Sequence, residues 1–523
     1  MTHSLASLWI LFLFVNTLAV SQSGQYPKHE MRGVWIASVA NIDWPSKPGL
    51  HPEQQQAEFK ELIAFYKSLK FNAVFVQVRP AADAFYPSTL EPWSPWLTGK
   101  TGLPPEPLYD PLAFMINVAH QQGMEFHAWL NPYRAGVNVP ETGPDSSSLA
   151  FQKPEWFVRY GKNMYFNPGL PEVRKHVTSV IADIVARYNV DGIHFDDYFY
   201  PYKITGEEFA DSLAYGQHNE SNASRDDWRR SNVDKLIEAV SDSIHALKPF
   251  VKFGISPFGV WRNNDKDPTG SATRAGQTCY DDLYADILKW LKEGWIDYVA
   301  PQIYWSIGFE TADYKTLAHW WNQNSYGKPV YIGQAAYRVN AHSDERWKQP
   351  SQLFHQIRIN RSLAAIKGNI FFSAKSLRLN PLGVSDTLRN NIHRFHALLP
   401  VDQQEMEIDH PEDIPVYFIP AAKGITLHWS ISNESSNSNA LKYYVIYRFR
   451  RATRQSFKDS RNIVSIVPLQ DVGQVSLTYT DTTIKRYRNY YYCVRIVNRY
   501  NQESRHVTTY GVRKKQKRCV VGF

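Results

Sequence analysis

Two aspartates stand side by side, Asp196 and Asp197, at the end of the segment Asp191-Gly-Ile-His-Phe-Asp-Asp-Tyr198. They follow a short apolar run, where a buried parallel strand would give way to a loop. Cleaving a glycosidic bond needs one carboxyl group to protonate the leaving oxygen and usually a second as nucleophile or base, so carboxyls at such a place suit that chemistry. Successive strand residues point to opposite faces, so only one of the pair is expected to face the cleft unless the backbone leaves the strand there. His194 shares parity with Asp196. This favours Asp196 as the main catalytic acid or nucleophile, with Asp197 second.

The partner carboxylate is harder to place. Asp43 and Asp83 follow earlier apolar runs, whereas the later runs end without Asp or Glu. Two solutions stay open: assistance by a 2-acetamido group on the substrate, or a partner from a loop such as Asp265 or Asp267. A metal site built from His194, Asp196 and Asp197 would need its ligands on one face, and only two of the three share parity, so no metal is expected. A serine nucleophile lacks its elbow, because Gly254-Ile-Ser-Pro257 does not extend to Gly-x-Ser-x-Gly. No cofactor is expected.

The elements that must position these groups alternate between strand and helix. Short β-branched or aromatic runs begin at Gly33, Ala73, Glu125, Gly192, Val251, Tyr298, Pro329 and Asn369, with amphipathic helical patterns between them. One such helix carries Phe59, Leu62, Ile63, Tyr66 and Leu69; another carries Val173, Val177, Val180, Ile181 and Ile184. No glycine-rich phosphate loop follows the first run, so a (βα)8 TIM barrel over residues 28–400 is expected rather than an open doubly wound sheet.

In that fold function lies at the C-terminal strand ends. The candidates for binding sugar are Asp43, Trp44, Arg79, Asp83, Asn131, Tyr133, Arg134, His194, Tyr200, Trp261, Gln302, Tyr304, Trp305 and Gln334. Trp44, Trp261 and Trp305 lie beyond strand ends and are the expected stacking platforms. Trp35 and Trp129 lie inside apolar runs and are expected to pack. Arg79 could instead form a core salt bridge.

The chain has 523 residues, 43% of them hydrophobic, enough for one large domain and a smaller one. Aromatics reach 14%, which suits stacking on sugar faces. The apolar run from Leu5 to Val20, followed by Ser21-Gln-Ser-Gly24, reads as a signal peptide over residues 1–23, although no Lys or Arg precedes it. A secreted or periplasmic protein without a permanent membrane span is therefore expected, and nucleic acid is a poor partner for it. Of the three cysteines, Cys493 and Cys519 could pair, leaving Cys279 buried. A linker over 401–415 precedes strand patterns over 416–512 that resemble a fibronectin type III domain. The basic stretch 513–523 is either a solvated tail or a contact for an anionic surface, within a net charge of +8.

Several blocks in order identify a family resemblance: Arg32-Gly-Val-Trp-Ile36, Asn41-Ile-Asp-Trp-Pro45, Val76-Gln-Val-Arg-Pro-Ala-Ala-Asp83, Ala128-Trp-Leu-Asn-Pro-Tyr-Arg134, the Asp191–Tyr198 segment, and Gly254-Ile-Ser-Pro-Phe-Gly-Val-Trp261. Over roughly residues 30 to 400 they resemble glycoside hydrolase-like family 10. That resemblance implies a bacterial envelope glycosidase, associated in some members with cell division and acting on peptidoglycan glycan strands stripped of stem peptides. It also implies that the catalytic carboxylate is on the fourth strand, at Asp196 or Asp197. Many relatives are lipoproteins; this chain lacks the lipobox cysteine. A non-catalytic glycan-binding protein and a metal-dependent polysaccharide deacetylase are the alternatives.

Overall fold

A computed structural model describes residues 26–401, 416–421, 424–430, 441–451, 453–469, 476–485, 487–504, 509–515 and 518–521. The expected signal peptide and nearly all of the expected linker lie outside the described residues.

Eight parallel strands close into a barrel in sequential order: β1 (Met31–Ile36), β2 (Ala73–Arg79), β3 (Glu125–Leu130), β4 (Gly192–Phe195), β5 (Lys252–Ile255), β6 (Tyr298–Val299), β7 (Val330–Ala335) and β8 (Ile366–Phe372). All eight coincide with the apolar runs of the sequence. The sixth is shorter than its run because Pro301 has no N–H for the ladder. Beyond it, Gln302 continues only as isolated bridges to Phe258 and Gly333.

Helices α1 (Pro52–Ser68), α2 (Pro111–Gln121), α3 (Pro171–Arg187), α4 (Arg225–Leu247), α5 (Ile287–Lys292), α6 (Tyr314–Gln323) and α7 (Ser351–Ser362) lie outside the barrel. The first three begin with proline, whose fixed φ suits a first helical turn and whose missing N–H costs nothing there. Asp110 caps α2 by accepting from Ala113 N at 3.1 Å. The buried stripes of α1 and α3 contain the apolar residues read from periodicity, Phe59 to Tyr66 and Val173 to Ile184.

Two layers of core result. The outer lies between strands and helices; the inner fills the barrel with Met31, Trp35, Phe75, Trp129, Tyr298, Tyr331 and Ile370. Large inward rings need gaps in neighbouring strands. A Cβ on Gly254 would lie 2.0 Å from the Tyr298 ring, and one on Gly192 would lie 2.3 Å from His127.

Polar groups also run down the axis, and their hydrogen bonds have one direction. The Trp35 indole can only donate, and it donates to His194 Nε2 at 3.1 Å, so His194 carries its proton on Nδ1. That nitrogen then donates to the Tyr298 hydroxyl at 3.0 Å, which donates to His127 Nδ1 at 3.1 Å. His127 Nε2 in turn donates to Glu125 at 3.0 Å.

Glu125 lies at the barrel floor, where the second domain docks. Lys252 reaches it at 3.1 Å, Asn501 Nδ2 donates to it at 3.2 Å, and Lys442 pairs with the same oxygen. Lys28 pairs with Glu503, and Ser460 Oγ donates to Tyr26 O at 2.9 Å. Leu398 packs into an apolar cluster with Tyr443, Val445, Tyr447 and Phe449.

The second domain has two antiparallel sheets. One joins β9 (Val416–Ala421), β10 (Gly424–Ser430) and β13 (Ser476–Asp481). The other joins β11 (Leu441–Phe449), β12 (Ile463–Pro468), β14 (Asn489–Asn498), β15 (Tyr510–Lys515) and β16 (Arg518–Val521) in the order β12-β11-β14-β15-β16. Trp429 and Tyr444 meet between the sheets at 5.5 Å. Strands β15 and β16 form a hairpin, so the stretch expected as a basic tail continues the sheet. Cys493 is buried in β14, whereas the pairing with Cys519 falls on a side chain outside those described. Cys279 is buried with its Sγ 3.2 Å from Phe258 O.

Candidate active site

Strand β4 ends at Phe195, one residue before the aspartates. The strict alternation of a strand therefore lapses at the point where it would have separated them, and the charge of Asp196 acts directly on Asp197.

Their surroundings differ. Asp196 accepts from Asn131 Nδ2 at 2.9 and 3.1 Å, from Trp129 Nε1 at 3.2 Å and from Tyr198 N at 3.3 Å. Asn131 is itself held, since its Oδ1 accepts from Arg134 N at 2.7 Å. Burial raises the Asp196 pKa, opposed first by the Arg134 charge and then by the donors Asn131, Trp129 and Tyr198. Asp197 accepts from the Tyr202 hydroxyl, with Gln302 as a second donor. Burial, joined by the Asp196 charge, pushes its pKa up to about 7. One carboxyl thus has four donated contacts and a nearby cation, and its neighbour is poised to hold a proton near neutrality.

Arg134 lies at the same mouth. Its Nε donates to Pro80 O at 2.9 Å and its guanidinium lies 5.1 Å from the Tyr198 ring centre. A series of half-buried rings continues around the rim: Tyr198 stacks on Tyr202 at 5.2 Å, Tyr202 meets Phe258 at 6.3 Å, and Phe258 meets Trp305 at 5.4 Å. On the far side Tyr304 meets Tyr337 at 5.7 Å and Phe372 at 6.2 Å. Rings with one open face provide flat apolar surfaces for sugar.

The fold brings Asp196, Asp197, Asn131, Arg134, Gln302, Tyr304 and Trp305 together. It places the other candidates elsewhere. Trp44, 1% exposed, donates to Gln55 O at 2.9 Å and packs on Phe59. Trp261, 5% exposed, stacks on Trp320 and donates to Asp286 at 3.3 Å, so neither indole offers a face as a platform. Both lie past a strand end, but their loops fold back over the helices. Tyr133 and Tyr200 are buried, Tyr200 between Phe209 and Tyr284. Gln334 faces the helix layer, donating to Tyr314 and Asn369 at 2.7 and 2.9 Å. His194 belongs to the axial chain below the site, and burial drives its pKa well down, keeping it neutral.

Arg79, Asp43 and Asp83 brace the rim rather than line it. Arg79 forks onto Glu91 at 2.6 and 2.5 Å and donates to the Asn131 carbonyl, so it acts on Asp196 through Asn131. Asp43 accepts from Ala37 N, Ser373 Oγ and Lys375 N at 2.8, 2.8 and 2.6 Å, tying the end of β1 to the segment after β8. Asp83 accepts from Ala81 N at 2.8 Å and Ser94 Oγ at 2.6 Å. Of the loop alternatives, Asp267 pairs with Arg262 at 3.1 Å and Asp265 is exposed.

Sequence reasoning missed Tyr202 and the rim rings of Phe258 and Phe372, and it expected Trp129 only to pack. Trp129 carried a signal: it shares inward parity with His127 and Asn131. Tyr202 carried none, because only a loop brings it back to Asp197.

A closed parallel barrel with paired aspartates and aromatic rings at its C-terminal mouth defines a glycoside hydrolase architecture. The profile of the family described as glycosyl hydrolase-like 10 matches residues 30–349, and the chain belongs to that family. It is 42% identical over 506 residues to "Glycosyl hydrolase YngK" of Bacillus subtilis (strain 168), covering 95% of this chain and 97% of that one. It is 40% identical over 379 residues to "Glycosyl hydrolase DigH" of Escherichia coli (strain K12), covering 68% of this chain and 84% of that one. These relatives establish a glycoside hydrolase. The solved PgaB (BpsB) glycoside hydrolase domain from Bordetella bronchiseptica covers 69% of this chain and 98% of its own, at 14% identity and a TM-score of 0.43.

Proposed function

We propose that this glycoside hydrolase is exported to the bacterial envelope and cleaves peptidoglycan glycan strands lacking stem peptides, with the 2-acetamido group of the substrate as its nucleophile. The carrying observation is the unequal provision of the two adjacent aspartates. Asp197, with its pKa near 7, donates its proton to the leaving oxygen as the bond from C1 breaks. The acetamido oxygen of the same sugar attacks C1, and Asp196, whose charged form its donors and Arg134 favour against burial, accepts from the acetamido N–H. Water then opens the cyclic intermediate while Asp197 takes back a proton. The other two strand-end carboxylates, Asp43 and Asp83, already accept from loop groups on both oxygens, which supports assistance by the substrate over a second protein carboxylate.

The aromatic rim suits an extended glycan. The sheet orders β9-β10-β13 and β12-β11-β14-β15 support a fibronectin type III-like reading of the second domain, with β16 added at the edge. The apolar leader supports export, and association with the division machinery fits such a substrate.

The test follows reducing ends released from stripped glycan strands and from intact peptidoglycan, and rates on oligomers whose acetamido methyl is progressively fluorinated. Release from stripped strands and a steep fall in rate with fluorination are expected. A rate indifferent to fluorination would overturn the mechanism, and acetate release without chain shortening would overturn the hydrolytic function.

A further inference from the structure

The second domain has two unlike ends. At one, the start of β11 and the turn after β14 press Lys442 and Asn501 against Glu125 on the barrel floor. At the other, Arg450 and Arg451 follow β11, Tyr487 and Arg488 lead into β14, and Arg513 lies on β15 opposite Asn489, together lining one concavity. From Lys442 to Arg450 is roughly 26 Å at about 3.3 Å per strand residue, so this concavity lies at the end of β11 remote from Glu125.

Among the described residues its charge is uncompensated. Arg448, one turn of the pleat away, pairs with Asp481 at 2.7 Å, but among the described residues no carboxylate pairs with Arg450, Arg451, Arg488 or Arg513. The cluster is also organised. The Arg450 guanidinium lies 4.9 Å from the Tyr490 ring centre and donates to Asn489 O at 3.3 Å. Among the described residues Arg513 Nε is buried without a hydrogen-bond partner. The hairpin that follows carries Lys514, Lys515 and Arg518 in its sequence.

We propose that this concavity binds a linear phosphodiester polymer. Guanidinium forks grip phosphate oxygens two at a time, as they do carboxylates, and a phosphodiester polymer presents one such charge at every repeat. Several like charges along an open face suit a repeating anion better than a single small one. The identity of the ligand rests on the exported reading of the chain; the site itself does not.

The full-length protein is titrated with fluorescently labelled poly(glycerol phosphate), with hyaluronate matched for charge and with vesicles of phosphatidylglycerol. Poly(glycerol phosphate) is expected to bind most tightly, weakening as salt rises. The double variant Arg451→Gln/Arg488→Gln, at exposed positions, is expected to lose at least tenfold in affinity while hydrolysing soluble glycan oligomers unchanged. Affinity unmoved by the double variant, or equal to that for hyaluronate, overturns the proposal, as does preference for the vesicles. Because hydrolysis is read on soluble oligomers, failure of this site and failure of the hydrolytic reading give different results.

Discussion

The mouth and the floor of the barrel both bury carboxylates, and they titrate in opposite directions. At the mouth, Asp196 and Asp197 have raised pKa values, because burial outweighs the donors and Arg134 at Asp196 and is joined by the Asp196 charge at Asp197. At the floor, Glu125 is just as enclosed, yet its pKa is driven well down: burial raises it, but Lys252 and Lys442 more than offset that. Asp191 is lowered by His120 and Lys442 in the same way. Burial alone therefore does not decide protonation; the supply of partners does. The floor uses ionised carboxylates to join elements, and the mouth keeps one carboxyl available for proton transfer.

Substitutions at the two ends should separate these roles. Asp197→Asn should lower the rate of reducing-end release by about 10² to 10⁴-fold while the fold persists, as removal of a general acid does. Asp196→Asn should also cost activity heavily, and intact release by either variant would dissolve the contrast. Glu125→Ala should instead destabilise the protein by about 3 to 5 kcal/mol in urea melts, because it removes the buried carboxylate that Lys252 and Lys442 share. Tyr298→Phe, which interrupts the axial chain between two histidines, should cost about 1 to 3 kcal/mol, read from the same melts.

The finest test is pH. Activity should fall as pH rises through about 7, where Asp197 loses its proton. A raised native pKa means that the folded state binds more protons, so Asp197 should also lower stability as pH rises from about 4 to 7, and Asp197→Asn should remove that loss. Glu125 has the opposite sign: its stabilisation is present above its unfolded pKa of about 4.3 and is lost as pH falls below it. Urea midpoints measured across pH for Asp197→Asn and Glu125→Gln should therefore move in opposite senses.

The barrel was legible from the sequence because alternating apolar runs and amphipathic helices leave few other folds, and all eight runs became strands. The aspartate pair was legible for the same reason: it follows a recognisable strand. What lay beyond strand ends was less so. Trp44 and Trp261 follow strands as Trp305 does, yet only Trp305 retains an open face, a difference set by loops that local pattern does not encode. Parity also misled at Asp197, since it assumes that the strand continues. His194 was a candidate as a polar residue near the end of its strand, but its position within β4 places it in the buried axial chain.

The clamp at the floor has a consequence for the order in which the protein can be built. Tyr26 and Lys28 are held by Ser460 and Glu503, which are synthesised more than 400 residues later, and Glu125 receives Lys442 across 317 positions. A chain emerging from the ribosome can close its eight strands before these partners exist, with the first segment held meanwhile by Leu398 and Leu399 and Glu125 paired with Lys252 and His127. Docking of the second domain therefore follows closure of the barrel and adds Lys442 to a glutamate already paired with Lys252.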